Sequence, residues 1–175
     1  MTQKRRIFNH QAHQGREDLT GENKFGDAGQ LILLLIFLIL WVADSFFLKF
    51  SFISMDPRWM ILRAPLGIGI LVFSLWMARA GLMVVFGEIR EEPHVIRDGV
   101  FAIVRHPIYL SAILLYLGLL VLALSLVAAA VWIVIIAFYV YLCRYEEKLL
   151  LEKFGNAYQN YMQAVPMLLP RLWKR

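Results

Sequence analysis

An arginine and a histidine stand back to back before a proline in Arg105-His106-Pro107-Ile108-Tyr109, at the mouth of a long apolar run. Beyond that run stands a carboxylate pair, Glu146-Glu147. These residue types can do complementary chemistry. Pro107 suits the first turn of a helix, where its missing N–H is not needed. The next N–H groups along the chain, the positive end of the helix dipole and the Arg105 guanidinium together form an anion-binding corner. Glu146 and Glu147 offer the opposite sign, suited to an ammonium, a sulfonium or ribose hydroxyls. Adjacent helical residues diverge by about 100°, so both face one ligand atom only where a helix ends. A site with an anion-binding half and a cation-binding half fits a zwitterion. The plainer alternative makes Arg105 and Glu146 interfacial anchors, or a surface ion pair contributing little.

The elements that must position these groups are membrane helices. Ile108–Cys143 runs 36 residues without a charge, too long for one crossing of a core about 30 Å thick and right for two. We expect a helical hairpin reversing near Leu124–Ala128, with Ser125 the polar residue near its middle. Such a hairpin sets Arg105-His106-Pro107 and the glutamate pair at similar depth. Upstream, Leu31–Leu48 and Ile61–Phe86 each supply one span. The expected fold is therefore an all-α integral membrane protein of about four transmembrane helices, with a C-terminal helical hairpin and a cytoplasmic cofactor pocket closed by the C-terminal tail. Its parts are a polar N-terminal tail over 1–30, two transmembrane helices over 31–86 and a catalytic core over 87–175. Asp44 lies near the outer end of its span, where it can reach the interface, and Arg79 is close enough to the inner end to snorkel. Gly67, Gly69 and Gly81 are read as small residues that allow close helix packing.

Composition agrees with this class: 60% of the 175 residues are hydrophobic, well above the usual 45–50% of soluble domains. The formal net charge is +5, but the cations sit in the tails and at the ends of apolar runs, which suits membrane topology rather than nucleic acid. Fourteen of the eighteen Lys and Arg residues fall on one side of a four-span arrangement, placing both termini and the polar site in the cytoplasm. The single cysteine, Cys143, lies in an apolar run and reads as a packing residue. In the tail, Lys4-Arg5-Arg6 precedes no apolar stretch before Leu31, so no signal peptide is expected, and His10 and His13 read as solvated. After the glutamates, Leu149, Leu150, Leu151, Phe154, Tyr158 and Tyr161 continue an apolar and aromatic pattern. Gly155 reads as a helix terminator, and Pro166 and Pro170 end the segment beyond it. A short amphipathic helix results, able to act as a lid whose walls include Tyr158 and Tyr161.

The run "HVIRDGVFAIVRHPIY" from His94 to Tyr109 resembles the isoprenylcysteine carboxyl methyltransferase family: a histidine, Gly99-Val100-Phe101, then Arg105-His106-Pro107-x-Tyr109. The Glu146-Glu147 pair, "FGNAYQNY" from Phe154 and "VPMLLP" from Val165 continue the likeness in the same order. The wider group includes phospholipid N-methyltransferases, similar at the x-Pro-x-Tyr and Glu-Glu positions, and more distantly membrane sterol reductases. The resemblance implies methyl transfer from S-adenosylmethionine to a lipophilic acceptor entering from the bilayer. It implies that His94, Val95, Gly99, His106, Pro107, Tyr109, Glu146, Glu147 and Tyr158 line the cofactor pocket, with Arg105 nearest the acceptor. Where the eukaryotic carboxyl methyltransferases commonly place an arginine before Val-Pro, this chain has Gln163-Ala164.

Methyl transfer needs no covalent nucleophile, so orientation and exclusion of water can carry it. An arginine at the acceptor favours an anion, which ranks carboxyl O-methylation ahead of N-methylation of a phosphatidylethanolamine-type lipid. An amine acceptor would need a base, supplied by the glutamates or His106. Other classes weighed are a non-catalytic membrane scaffold, a metal site from Glu88, Glu91, Glu92 and His94, and a nicotinamide-dependent reductase. No metal is expected, and no Gly-rich dinucleotide motif supports the last.

Overall fold

A computed structural model of the chain describes residues 24–51, 57–87 and 94–170. Lys4-Arg5-Arg6, His10, His13, Glu88, Arg90, Glu91, Glu92 and the basic residues from Arg171 onward lie outside the described residues. Apolar side chains recur without a polar face along most of the described chain, and every described element is helical. Helix α1 spans Lys24–Val42 and runs into a π-helical turn, Ala43–Leu48. Helix α2 spans Pro57–Phe86, a 3₁₀ turn covers Gly99–Ala102, α3 spans Pro107–Leu122, α4 Leu126–Phe154 and α5 Asn156–Ala164. Gly26–Leu48, Trp59–Phe86 and Leu126–Phe154 are long and apolar enough to cross a bilayer, which makes this an integral membrane protein. Helix α3 has 16 residues, about 24 Å, and falls short of that length. One boundary needs correcting: the first helix starts at Lys24, inside the stretch expected to be a polar tail. Packing of Gly29 against Phe138 of α4 supports this extra length.

Helix α2 packs on α3, α3 on α4, and α4 on α1. The α2–α3 contact depends on small residues. A Cβ on Gly67 would come within 2.7 Å of Leu122 and 3.2 Å of the Gly118 carbonyl, and one on Gly118 would meet Leu71 at 2.7 Å. Ser74 donates to the Ser111 carbonyl at 2.7 Å, and Gly81 lies against Ile108 and Pro107. Gly67, Ser74 and Gly81 recur every seven residues, one helix face meeting α3 in antiparallel register. Gly69 falls off that face with nothing near it, so the packing role expected for it does not hold. Phe37, Ile135, Tyr116, Tyr139, Leu142 and Cys143 fill the core among α1, α3 and α4.

The reversal between α3 and α4 has neither Gly nor Pro; a serine held by Asp44 caps one helix end there and Arg63 the other. Ser125 is the N-cap of α4, accepting from the Ala128 N–H at 3.1 Å and donating to Asp44 at 2.5 Å. Asp44 also accepts from the Ser51 hydroxyl at 2.6 Å and the Ser51 N–H at 2.9 Å. At the end of α3, Arg63 donates to the carbonyls of Val121 and Leu122 at 3.2 and 2.8 Å. Asp44 is thus buried at the end of its span, where three donors replace the water it gives up. Arg79 is exposed.

Candidate active site

Pro107 opens α3 at its first position, and the backbone before it turns back on the C-terminal segment. The Arg105 N–H donates to the Pro166 carbonyl at 2.9 Å, and the His106 N–H to that of Met167 at 3.2 Å. Two N–H groups at this corner are therefore spent on a strap formed by residues 165–168. Opposite them, α4 continues past the apolar run, so Glu146 and Glu147 arrive on a helix that ends only at Gly155, whose φ of +51° suits glycine.

The strap, the start of α3 and the end of α4 meet around one carboxylate. Glu147 Oε1 accepts from Arg105 Nε at 2.7 Å and lies 2.7 Å from Arg105 Nη2 and 3.1 Å from His106 Nε2. Arg105 Nη1 donates to the Met162 carbonyl at 2.9 Å and also to that of Val165. All three guanidinium nitrogens are engaged, and the Arg105 and Glu147 side chains are only 9% and 8% exposed. Glu146 points elsewhere, as the 100° step requires: it accepts from the Tyr109 hydroxyl and lies 3.5 Å from His106 Nδ1. Its side chain is 32% exposed, the most open acid of the cluster. The imidazole stacks on the Tyr109 ring at 5.8 Å. Burial drives His106 towards its neutral form, but hydrogen bonds to Glu146 and Glu147 outweigh this and hold its pKa above the ordinary histidine value.

Helix α5 closes this side. Tyr158 and Tyr161 are buried and meet edge to face at 5.7 Å. The Tyr161 hydroxyl donates to the Phe101 carbonyl at 2.7 Å, and burial pushes its pKa up to about 12, so it remains a donor. Burial, with Glu147 nearby, also raises the Tyr158 phenol. Arg97 lies 5.7 Å above the Tyr161 ring and donates to the Ala157 carbonyl at 2.5 Å, a second tie between the loop and α5.

Of the residues singled out from the sequence, Arg105, His106, Pro107, Tyr109, Glu146 and Glu147 come together, with Tyr158 beside them. Val95 is half-buried, while His94 is exposed on the extended stretch leading to the 3₁₀ turn. Gly99 begins that turn at φ +58°, a left-handed backbone conformation that glycine adopts readily. Sequence reasoning missed Arg97 and the strap carbonyls. Backbone acceptors leave no residue-type signal; the pairing of a loop arginine with the aromatic helix after Gly155 could have suggested Arg97. Among the described residues no group of three or more His, Cys, Asp or Glu is placed to hold a metal ion.

The fold and site define a membrane protein whose buried arginine–histidine–glutamate cluster is built at one end of its α3–α4 pair. Comparison with known proteins narrows the class. The profile of the phospholipid methyltransferase family matches residues 62–157, more than half of the chain, and the chain belongs to that family. It is also similar to methanethiol S-methyltransferase 2 of Bradyrhizobium diazoefficiens, at 33% identity over 76 residues. That stretch takes in 43% of this chain and 29% of the relative, so the chain spans less than a third of the length of the curated relative it matches. No solved structure matches the chain.

Proposed function

We propose that this protein is an S-adenosylmethionine-dependent methyltransferase acting on a lipophilic acceptor that reaches the site from the bilayer. The supporting observation is the convergence of Arg105, His106 and Tyr109 with Glu146 and Glu147 in a member of the phospholipid methyltransferase family. In this reading α3 and α4 form a transmembrane hairpin, making four spans, and both termini and the site face the cytoplasm. Residues 87–175 form the catalytic core, supported by α2. The pocket lies under α5 and the strap.

The donor set suits the cofactor. Two carboxylates against one guanidinium leave a net negative charge when His106 is neutral, complementary to a sulfonium bearing an amino-acid moiety. His94, Val95, Gly99, His106, Pro107, Tyr109, Glu146, Glu147 and Tyr158 would line its pocket. When bound, it supplies an electrophilic methyl whose bonding electrons return to sulfur as the sulfonium charge is lost. Arg105 fixes Glu147, the Glu146–Tyr109 pair sets the opposite wall, and α5 with the strap excludes water.

A free Arg105 was the ground for ranking a carboxylate acceptor first. With its guanidinium taken up by Glu147, Met162 and Val165, the better-supported acceptor is one that must lose a proton, an amine or a thiol. Glu146, partly exposed and hydrogen-bonded to Tyr109, is the group to receive that proton. Carboxyl O-methylation would require Arg105 to exchange partners.

The test uses the full chain in lipid nanodiscs with methyl-labelled S-adenosylmethionine and extracted lipids, an added amine or an added thiol. Saturable cofactor binding is expected, weakened at least about tenfold by Glu147→Gln, with label in base-stable products. Label confined to base-labile esters would restore the carboxylate acceptor. Absence of saturable binding would leave a scaffold.

A further inference from the structure

Gly155 joins α4 to α5 at φ +51°, and a Cβ placed on it would meet nothing within 4 Å. Crowding at the joint therefore does not fix the angle between the two helices; what α5 touches does. At its far end, Arg105 donates to the carbonyls of Met162 and Val165, contacts that belong to the cluster already described. At its near end stands Arg97, which the function proposed above does not use. Arg97 is exposed on the extended stretch before the 3₁₀ turn, and its side chain reaches a residue 60 positions on, donating from Nη2 to the Ala157 carbonyl at 2.5 Å. Its guanidinium also stands 5.7 Å above the Tyr161 ring. The Tyr161 hydroxyl completes the junction by donating to the Phe101 carbonyl at 2.7 Å. Tyr161 in turn meets the buried Tyr158 edge to face at 5.7 Å, so whatever holds Tyr161 holds Tyr158 as well.

We propose that Arg97 is a positioning residue of this site: it clasps α5 to the loop carrying His94 and Val95, and so sets how long S-adenosylmethionine stays bound beside Tyr158. The inference rests on the methyltransferase reading above. Arg97 touches no reacting atom in this account; it acts through Tyr161 and the α5 backbone. The two ends of α5 are held differently. Arg105, only 9% exposed, fixes the Met162 end against Glu147, whereas the Ala157 end, next to the uncrowded glycine, is held by an exposed cation that solvent and salt can reach. The Ala157 end is therefore the one that yields first.

Full-length protein in nanodiscs of phosphatidylcholine, loaded with labelled S-adenosylmethionine and chased with unlabelled cofactor, tests this. Arg97→Ala should speed dissociation of the label about three- to twentyfold at low salt, the size of one exposed charge-assisted hydrogen bond with a cation–π contact. The gap from wild type should narrow at roughly 1 M salt. Arg97→Lys should recover part of the loss, since it returns the charge without the planar fork. Hydrogen exchange at residues 156–161 should quicken by a similar factor in Arg97→Ala, while exchange in α3 stays as in wild type. Arg144→Ala, which removes an exposed arginine from α4, should move neither reading. The proposal is overturned if Arg97→Ala leaves the dissociation rate within about twofold of wild type, if exchange quickens in α3 as much as in α5, or if Arg144→Ala does the same as Arg97→Ala. A wild type without saturable cofactor binding brings down the methyltransferase reading and this inference with it. Wild-type binding with an unaltered rate in Arg97→Ala brings down this inference alone.

Discussion

Replacing Arg105 by methionine keeps most of the side-chain volume and removes the guanidinium. The structure fixes what is lost: two contacts of 2.7 Å to Glu147 Oε1 and the bonds to the Met162 and Val165 carbonyls. Glu147 would keep His106 as its partner, and the carbonyls of Met162 in α5 and Val165 in the strap would lose their charged donor. For an exposed pair the cost would be about 0–1 kcal/mol. These side chains are 9% and 8% exposed, which puts the pair in the buried class, where removing one partner costs about 3–5 kcal/mol. Glu147→Leu alone should cost a similar amount, because it leaves Arg105 buried with carbonyls only. The double variant should recover much of the loss, since exchanging a whole buried pair for apolar groups is often close to neutral.

Unfolding of the four proteins in matched lipid nanodiscs measures this cycle, with calorimetric cofactor binding and turnover read on the same samples. Arg105→Met should lower cofactor affinity and turnover together, because Arg105 acts by positioning Glu147 and the strap. A destabilisation below about 1 kcal/mol would refute the buried-pair reasoning. Normal stability and cofactor binding with lost turnover would return Arg105 to the acceptor, where sequence reasoning had placed it.

His106 gives two pH trends of opposite sign. Its folded pKa is raised, so its stabilising share is present below the unfolded value of about 6.5 and is lost as pH rises through the folded value. Unfolding midpoints should fall over that interval in wild type but not in His106→Gln. Cofactor affinity should rise over the same interval, as loss of the proton restores the cluster's net negative charge, and His106→Gln should flatten that profile in calorimetry. Asp44→Ala strips Ser125 and Ser51 of their shared acceptor and should cost about 2–3 kcal/mol in unfolding while cofactor Kd stays put. Gly118→Ala sets a Cβ 2.7 Å from Leu71 and 3.3 Å from the Gly67 carbonyl and should cost about 1–3 kcal/mol by the same measurement, against no change if α2 can move away.

The features legible in the sequence were those that depend on local chemistry or on length. Pro107 in the first turn, Gly155 at the end of α4 and Ser125 near the reversal reflect backbone preferences that each residue carries anywhere. The meeting of Arg105 and His106 with the glutamates comes from two apolar segments of similar length running back on each other. Partner choice across the chain could not be read. Asp44 and Ser125 are 81 positions apart, and neither residue type names the other. The saturation of Arg105 depends on two main-chain carbonyls, which every residue possesses. The start of α1 was hidden because Gly26, Asp27 and Gly29 disfavour a helix locally, and packing on Phe138 overrides that preference.

The two ends of the α3–α4 pair place charge in opposite ways, and the contrast supports the proposed site without reference to any relative. At the reversal, Asp44 stands at the N-terminus of α4 and Arg63 at the C-terminus of α3, each complementing its helix dipole. At the other end, Arg105 and His106 stand at the N-terminus of α3, the wrong sign for the dipole, and His106 occupies the N-cap without a capping bond from its side chain. Each mismatch costs a few tenths of a kcal/mol to about 1 kcal/mol, and a serine or aspartate there would serve the helix better. The glutamates offset the mismatch, and Glu147 does so only by being almost wholly buried itself. A helix start chosen for stability would look like the reversal. One that holds a guanidinium and a basic imidazole against two carboxylates, beneath a strap, gives up helix stability to assemble that cluster, which is what the proposed binding role requires.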